Sequence, residues 1–303
     1  MSGVRATAET PARSTLFNLL LSLRPGQWTK NLVVFAGLIW GLRLFEPDAV
    51  ARAGAAFLLF CALSGVVYLL NDVADREADR LHPVKARRPI ASGALPVSTA
   101  LVTASVLAVM SLAAAFELGT WFGLTAAGYT LLLAVYTALL KHIVIIDVLT
   151  IATGFVLRAI GGAVVIDVQV SSWLLVCTLL LALFLAMSKR RHELVALSDA
   201  TGHRRILEEY SPYLLDQMIA VVTASTLIAY AFYTISPETQ QKFGTGLLSL
   251  TIPFPLYGIF RYLYLVHRRE GGGSPAEMLL RDRPLLWCVV LWITTVVVIV
   301  YGF

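Results

Sequence analysis

NDVADREAD, residues 71–79, follows directly on an uninterrupted apolar run from about Ala53 to Leu70. That run is long enough to cross a bilayer, so the acidic string begins where a membrane span ends. On a helix, Asp72, Asp75 and Asp79 are offset by three and seven residues and share one face, while Glu77 points elsewhere. Hard oxygen ligands on one face suit Mg²⁺ carrying a phosphorylated substrate. The competing reading is a solvated charged loop, the usual fate of a lone aspartate at such a place. Three carboxylates on one stripe favour the metal site, with Asn71 as a neutral ligand or donor.

Working outward, the rest of the chain has the same character. It is 58% hydrophobic and 14% charged, and its apolar residues gather in runs too long for a soluble core of 303 residues. The runs predict an all-α, polytopic membrane protein with nine spans, at about 27–45, 50–71, 97–116, 119–140, 144–166, 171–189, 214–235, 245–266 and 284–302. Leu16 to Leu23 is apolar but too short to span, and reads as a helix lying at the interface. No small-residue cleavage pattern follows a basic apolar leader, which argues against a removable signal peptide. A single integral domain, 1–303, is expected: an N-terminal arm and interfacial helix over 1–26, with loops at about 72–96, 190–213 and 267–283 forming a polar cap.

The basic residues orient this arrangement. Only Arg43, Arg52 and Lys242 fall on one side and Arg158 within a span; the others, from Arg5, Arg13 and Arg24 through Arg204, Arg205 and Arg269 to Arg283, belong to the opposite face. The positive-inside rule makes that face, and the N-terminus, cytoplasmic, and places the protein in the cell membrane. Net charge is +5, and attraction to anionic lipid explains part of it. It does not explain why most acids lie on the same face. Cys61, Cys177 and Cys288 lie in spans without paired spacing, as packing residues. Gly271, Gly272, Gly273, Ser274 and Pro275 form a flexible linker. There is no nucleic-acid module, P-loop or soluble second domain, and nothing marks an interface, although a homo-oligomer is compatible with the pattern.

RLHPVKARRPIASG follows the acidic string. Lys85, Arg87 and Arg88 sit beside the carboxylates, and Pro83 and Pro89 restrict the backbone. An anionic substrate with its metal is the simplest partner for such a mixture. Within the fifth span, Asp147 and Arg158 share a face but lie about 16 Å apart along it, so each needs another partner. Arg158 either binds polar helix neighbours or lines a cavity. Tyr68, one turn before Asp72, and Tyr136 are either phosphate donors or interfacial anchors. His82 and His192 read as bystanders.

NDxxDxxxD at the end of the second span, followed by a basic loop and RPI, resembles the first aspartate motif of the UbiA superfamily of intramembrane prenyltransferases. RPGQWTKN (24–31), KRRHEL (189–194) and LRDRPLL (280–286) are similar to its polyprenyl-phosphate phosphoribosyltransferase branch. One departure from the wider superfamily supports that branch. Where a second aspartate-rich motif belongs, this chain has Lys189, Arg190, Arg191, His192 and Glu193, with Asp199 later. Extra substrate phosphates call for cations there.

The resemblance implies transfer of a 5-phosphoribosyl group from phosphoribosyl diphosphate (PRPP) to a polyprenyl phosphate such as decaprenyl phosphate, for cell-envelope glycan (arabinan-type) precursors. It implies Mg²⁺ on Asp72, Asp75 and Asp79, and donor phosphates on Lys85, Arg87, Arg88, Lys189 and Arg190, with Glu193 orienting a basic partner or a ribose hydroxyl. Arg24, Gln27 and Lys30 would take the lipid phosphate, and Arg158 would line the cavity. Two alternatives stay open: an aromatic prenyltransferase of quinone or haem biosynthesis, and an anionic-lipid transporter, which should carry polar features on both faces.

Overall fold

The computed structural model describes residues 14–196, 209–268 and 275–302. Arg5, Arg13, Asp199, Arg204, Arg205, Arg269 and the linker residues 271–274 lie outside these. The described chain is helical. Its α-helices are α1 (Thr15–Ser22), α2 (Ala36–Trp40), α3 (Pro47–Ala74), α4 (Arg76–Leu81), α5 (Val97–Leu118), α6 (Thr120–Ala138) and α7 (Ile146–Val164), then α8 (Ser172–Ala196), α9 (Pro212–Ile235), α10 (Pro237–Phe243), α11 (Pro253–Arg268), α12 (Pro275–Arg281) and α13 (Arg283–Tyr301).

Among the described residues, seven of these helices are long and apolar enough to cross a membrane: α3, α5, α6, α7, α8, α9 and α13. They match seven of the nine expected spans to within a few residues. A further apolar pair, α10 and the run from Leu247, is bent by 102°, the geometry of a broken span or a re-entrant loop. The expected count of nine is therefore not reproduced. Instead of a straight span over 27–45 there is a 3₁₀ segment, Pro25–Phe35, running into the five-residue α2. Polar Gln27, Thr29, Lys30 and Asn31 occupy that segment, and Asn31 is buried.

Consecutive helices pack side by side: α3 on α5 and α6, α6 on α7, α7 on α8, and α8 on α9, while α11 packs on α13. Because each long helix crosses once, the C-terminal ends of α3, α6 and α8 and the N-terminal starts of α5, α7 and α9 share one side. One core joins the 3₁₀ segment, α3 and α6 through Val34, Phe60, Leu63, Phe122 and Tyr129; another joins α7, α8, α9 and α11 through Val148, Phe184, Ile219 and Tyr262. The outward faces are apolar too: Val109, Met110, Trp121 and Leu131 are all at least 66% exposed. In water such a surface would aggregate; in lipid it is matched.

Two glycines set close approaches. A Cβ on Gly162 of α7 would stand 2.0 Å from the Val34 carbonyl oxygen, so the 3₁₀ segment lies backbone to backbone on α7. A Cβ on Gly65 of α3 would meet Leu23 at 2.6 Å, so the turn after α1 presses on α3. α1 itself exposes Leu16, Phe17, Leu20 and Leu21 and buries Asn18 and Ser22, the pattern of a helix whose apolar face meets lipid. On the side opposite the acidic string, Arg52 donates to the Val165 and Leu118 carbonyls at 2.6 and 3.1 Å, tying together the ends of α7 and α5.

Candidate functional site

The acidic string does not form one continuous helix. α3 ends at Ala74, Asp75 caps it, and α4 starts at Arg76, so the expected single stripe is broken at its middle carboxylate. Asp72 and Asp79 nevertheless converge, because one guanidinium holds both. Arg88 Nη1 donates to Asp72 Oδ1 at 3.0 Å and to Asp79 Oδ2 at 2.5 Å. Arg24 Nη2 reaches the same Asp72 oxygen at 2.5 Å. Asp72 and Asp79 are buried at 2% and 3% exposure, where an unpaired carboxylate would be costly.

Arg24 is delivered by a backbone in the left-handed region, φ 54°, immediately before Pro25. A non-glycine residue there is uncommon and strained. Its guanidinium lies 4.8 Å from the centroid of the Tyr68 ring. Burial pulls the Arg24 pKa below the usual arginine range, and Asp72 beside it opposes that pull.

Asp75 turns to different partners. Lys141, from the short link between α6 and α7, places Nζ 2.5 Å from Asp75 Oδ1, and the Asn71 amide donates to Oδ2 at 3.0 Å. Glu77 points outward and pairs with Arg80 at 3.1 Å, as its helical position implies.

A second cluster joins the start of α7 to the end of α8. Arg190 Nε donates to Asp147 Oδ2 at 2.8 Å, Nη1 to Glu193 Oε2 at 2.7 Å, and Nη2 to the Tyr136 hydroxyl at 3.3 Å. Lys189 also pairs with Glu193, at 3.7 Å. Tyr210 donates its hydroxyl to Asp147 Oδ1 at 2.9 Å and accepts from the Ile145 amide at 2.7 Å. Ile145 is a β-branched residue held at φ 69°. Burial pushes the Tyr210 phenol up to about 12, so it stays a donor at neutral pH.

The third group lies deeper. Arg158 is 6% exposed, and among the described residues its contacts are neutral: the Tyr129 hydroxyl at 2.6 Å and the rings of Tyr129 and Phe155 at 4.7 and 5.0 Å. Its Nε is buried without a hydrogen-bond partner. Lys30, half-buried on the 3₁₀ segment, feels the charges of both Arg158 and Arg24. Cations gathered without a carboxylate leave room for an anion.

A divalent cation would draw on the hard oxygens of Asp72 and Asp79, which Arg88 Nη1 bridges here. It does not find a ready trio. Among the described residues no three acidic, His or Cys side chains gather closely enough to hold a metal, because Lys141 draws Asp75 away.

The sequence reading named most of these groups. The structure brings together Arg24, Tyr68, Asp72, Asp79 and Arg88; Asn71 with Asp75; and Tyr136, Lys189, Arg190 and Glu193. Lys85 and Gln27 are half-buried, while Arg87 is exposed. Asp147 and Arg158 do have separate partners, as their spacing requires. The three cysteines are free. His82 is engaged locally, its Nδ1 accepting from the Val84 and Lys85 amides. Missed were Lys141, Tyr210, Tyr129, Ser64 and Asn31. A lone lysine in the seven-residue link between α6 and α7, and serine and asparagine inside apolar runs, were available signals; Tyr129 and Tyr210 gave none.

The sequence profile of the UbiA prenyltransferase family matches residues 31–289. The decaprenyl-phosphate phosphoribosyltransferase of Mycolicibacterium smegmatis is 33% identical, over 96% of this chain and 95% of its own. That of Corynebacterium glutamicum is 32% identical, over 96% of this chain and 89% of its own. Among solved structures, a UbiA homolog from Archaeoglobus fulgidus bound to DMAPP and Mg²⁺ shares the fold, with a TM-score of 0.72 at 20% identity, covering 94% of this chain and 100% of that one.

Proposed function

The chain belongs to the UbiA prenyltransferase family, and we propose that within it this multi-pass membrane enzyme transfers a 5-phosphoribosyl group from PRPP to a polyprenyl phosphate such as decaprenyl phosphate. The products are polyprenyl-phosphoryl-5-phosphoribose and diphosphate. A lipid-phosphate oxygen attacks the ribose C1 as the C1–diphosphate bond breaks. The acceptor is already an anion near neutral pH, so positioning and charge stabilisation carry the rate.

One observation carries this reading: cations exceed the needs of the acids. Asp72, Asp75 and Asp79 each already hold a basic side chain, yet among the described residues Lys30 and Arg158 remain inside without a carboxylate. A diphosphate, a 5-phosphate and a lipid phosphate are together enough anion to use them. In this proposal Arg24, Gln27 and Lys30 take the lipid phosphate. Arg88, Lys85, Arg87 and Lys189 take donor phosphates, with Tyr68 and Tyr136 as hydroxyl donors. Arg190, committed to Asp147 and Glu193, fixes Glu193 for a ribose hydroxyl. Asp72 and Asp79, joined by Asp75 on its release from Lys141, would hold Mg²⁺. Bound there, it would neutralise the departing diphosphate. The acidic string would face the cytoplasm of the cell membrane, capped by the loop over 72–96.

Purified protein in detergent, given radiolabelled PRPP, polyprenyl phosphate and Mg²⁺, should move label into the organic phase, and a chelator should stop it. If no label moves, while a prenyl diphosphate is transferred to an aromatic acceptor, the proposal fails in favour of an aromatic prenyltransferase.

A further inference from the structure

Arg158 ends a hydrogen-bonded chain that runs in one direction through the membrane interior. Its Nη2 donates to the Tyr129 hydroxyl at 2.6 Å, leaving the phenolic proton for the Ser64 hydroxyl at 2.9 Å. Ser64 in turn donates to Asn31 Oδ1 at 3.4 Å, and the Asn31 amide donates to Cys61 Sγ at 3.2 Å. Every member after Arg158 is neutral and buried: Tyr129 at 0%, Ser64 at 4%, Asn31 at 1% and Cys61 at 2% exposure. The Tyr129 ring is fixed from the side by Phe60, edge to face at 5.3 Å, and Phe60 by Phe122 at 5.7 Å.

This is an unusual way to hold a buried guanidinium. A carboxylate would fix Arg158 and cancel its charge; a phenol fixes it and leaves the charge in place. The neutral chain also orients its dipoles favourably, since each hydroxyl accepts from the Arg158 side and donates away from it. The same chain ties three elements together at this point: α7 through Arg158, α6 through Tyr129 and α3 through Ser64. Asn31 adds the 3₁₀ segment, one residue beyond Lys30. The network that fixes Arg158 thus reaches the residue next to Lys30, and among the described residues neither cation has an acidic partner.

We propose that Tyr129 and Ser64 are positioning residues, which aim Arg158 without neutralising it so that Arg158 and Lys30 receive a phosphate monoester. Two substrates of the proposed reaction carry that group, the 5-phosphate of PRPP and the lipid phosphate, and the inference rests on that reaction for its choice of ligand.

The experiment compares wild type with Tyr129→Phe, Ser64→Ala and Arg158→Gln in detergent. Tyr129→Phe keeps the ring and its packing on Phe60 and loses only the hydroxyl. It should raise KM for one of the two substrates about tenfold, as loss of one hydrogen bond to a charged group implies, with kcat little changed. Ser64→Ala should do the same more weakly. A rise for PRPP assigns the pocket to the 5-phosphate, and a rise for the polyprenyl phosphate assigns it to the acceptor. Unchanged KM values for both substrates would overturn the proposal. So would equal losses in both accompanied by a lower melting temperature, because the hydroxyl would then be structural.

Inorganic phosphate supplies a readout independent of turnover. It should raise the melting temperature of wild type, less that of Tyr129→Phe, and leave Arg158→Gln unmoved; an equal rise in all three would overturn the proposal. If wild type transfers no phosphoribosyl group yet shows this graded response to phosphate, the site stands and the proposed reaction falls.

Discussion

Lys141 holds Asp75, the middle aspartate of the acidic string, with Nζ 2.5 Å from Oδ1 across 66 positions of chain. The lysine is 9% exposed and the carboxylate 22%, so the pair is mostly shielded from water. Removing one partner strands the other charge. Lys141→Met should cost about 1–3 kcal/mol of stability, and Asp75→Asn should cost less once Lys141 is already gone. Thermal unfolding in detergent of the two single variants and the double variant tests this. Strictly additive losses would mean that the two residues do not depend on each other.

Asp72 accepts from both Arg24 and Arg88 and lies at the end of a long buried helix. Asp72→Asn keeps the shape and removes the charge that both guanidiniums and the proposed divalent ion need. Turnover should fall by about 100-fold or more, while the protein still inserts and elutes as a single species. Wild-type turnover would remove Asp72 from the proposed metal site.

Adjacent arginines should behave differently. Arg88 bridges Asp72 and Asp79, whereas Arg87 is exposed on the outside of the same turn. Arg88→Ala should raise KM for PRPP far more than KM for the lipid and lower the melting temperature. Arg87→Ala should leave stability within about 0.5 kcal/mol of wild type. Equal KM effects of Arg88→Ala on the two substrates would place that guanidinium away from the donor.

Asp147 is fully buried in the first turn of α7, paired with Arg190 and receiving the Tyr210 hydroxyl. Asp147→Ala should cost about 3–5 kcal/mol, the penalty of leaving Arg190 buried beside an empty place. Asp147→Asn should cost less, because an amide still accepts from Tyr210. Urea or thermal unfolding would rank the two, and a reversed order would show that the hydrogen bond from Tyr210 contributes nothing to stability.

The uneven legibility of this protein has a physical basis. Long apolar helices are written in single stretches of sequence, and α3, α5 to α9 and α13 fall where the apolar runs fall. The expected span over 27–45 is not found, because polar Lys30 and Asn31 sit in a 3₁₀ segment that a count of apolar residues treats as span. The site was legible where charges cluster locally, as in Asp72, Asp79 and Arg88. It was illegible where partners come from distant helices. Nothing in the local sequence around Asp75 announces Lys141, and helical periodicity alone put Asp75 on a stripe that the break at Ala74 interrupts.

That first segment depends on a glycine. With Val34 oxygen 2.0 Å from where a Gly162 Cβ would stand, the obstacle to any side chain there is backbone, which cannot swing aside. Gly162→Ala must push the 3₁₀ segment off α7, and with it Lys30 away from Arg158. The expected cost is about 1–3 kcal/mol or more, together with a weaker response of the melting temperature to inorganic phosphate. Gly54 on α3 is the control, because nothing lies within 4 Å of its added Cβ. Gly54→Ala should leave stability unchanged or raise it by up to about 1 kcal/mol, since alanine is the better helix former. Were Gly162→Ala as stable and as phosphate-responsive as Gly54→Ala, the close contact of the 3₁₀ segment with α7 would not be what places Lys30.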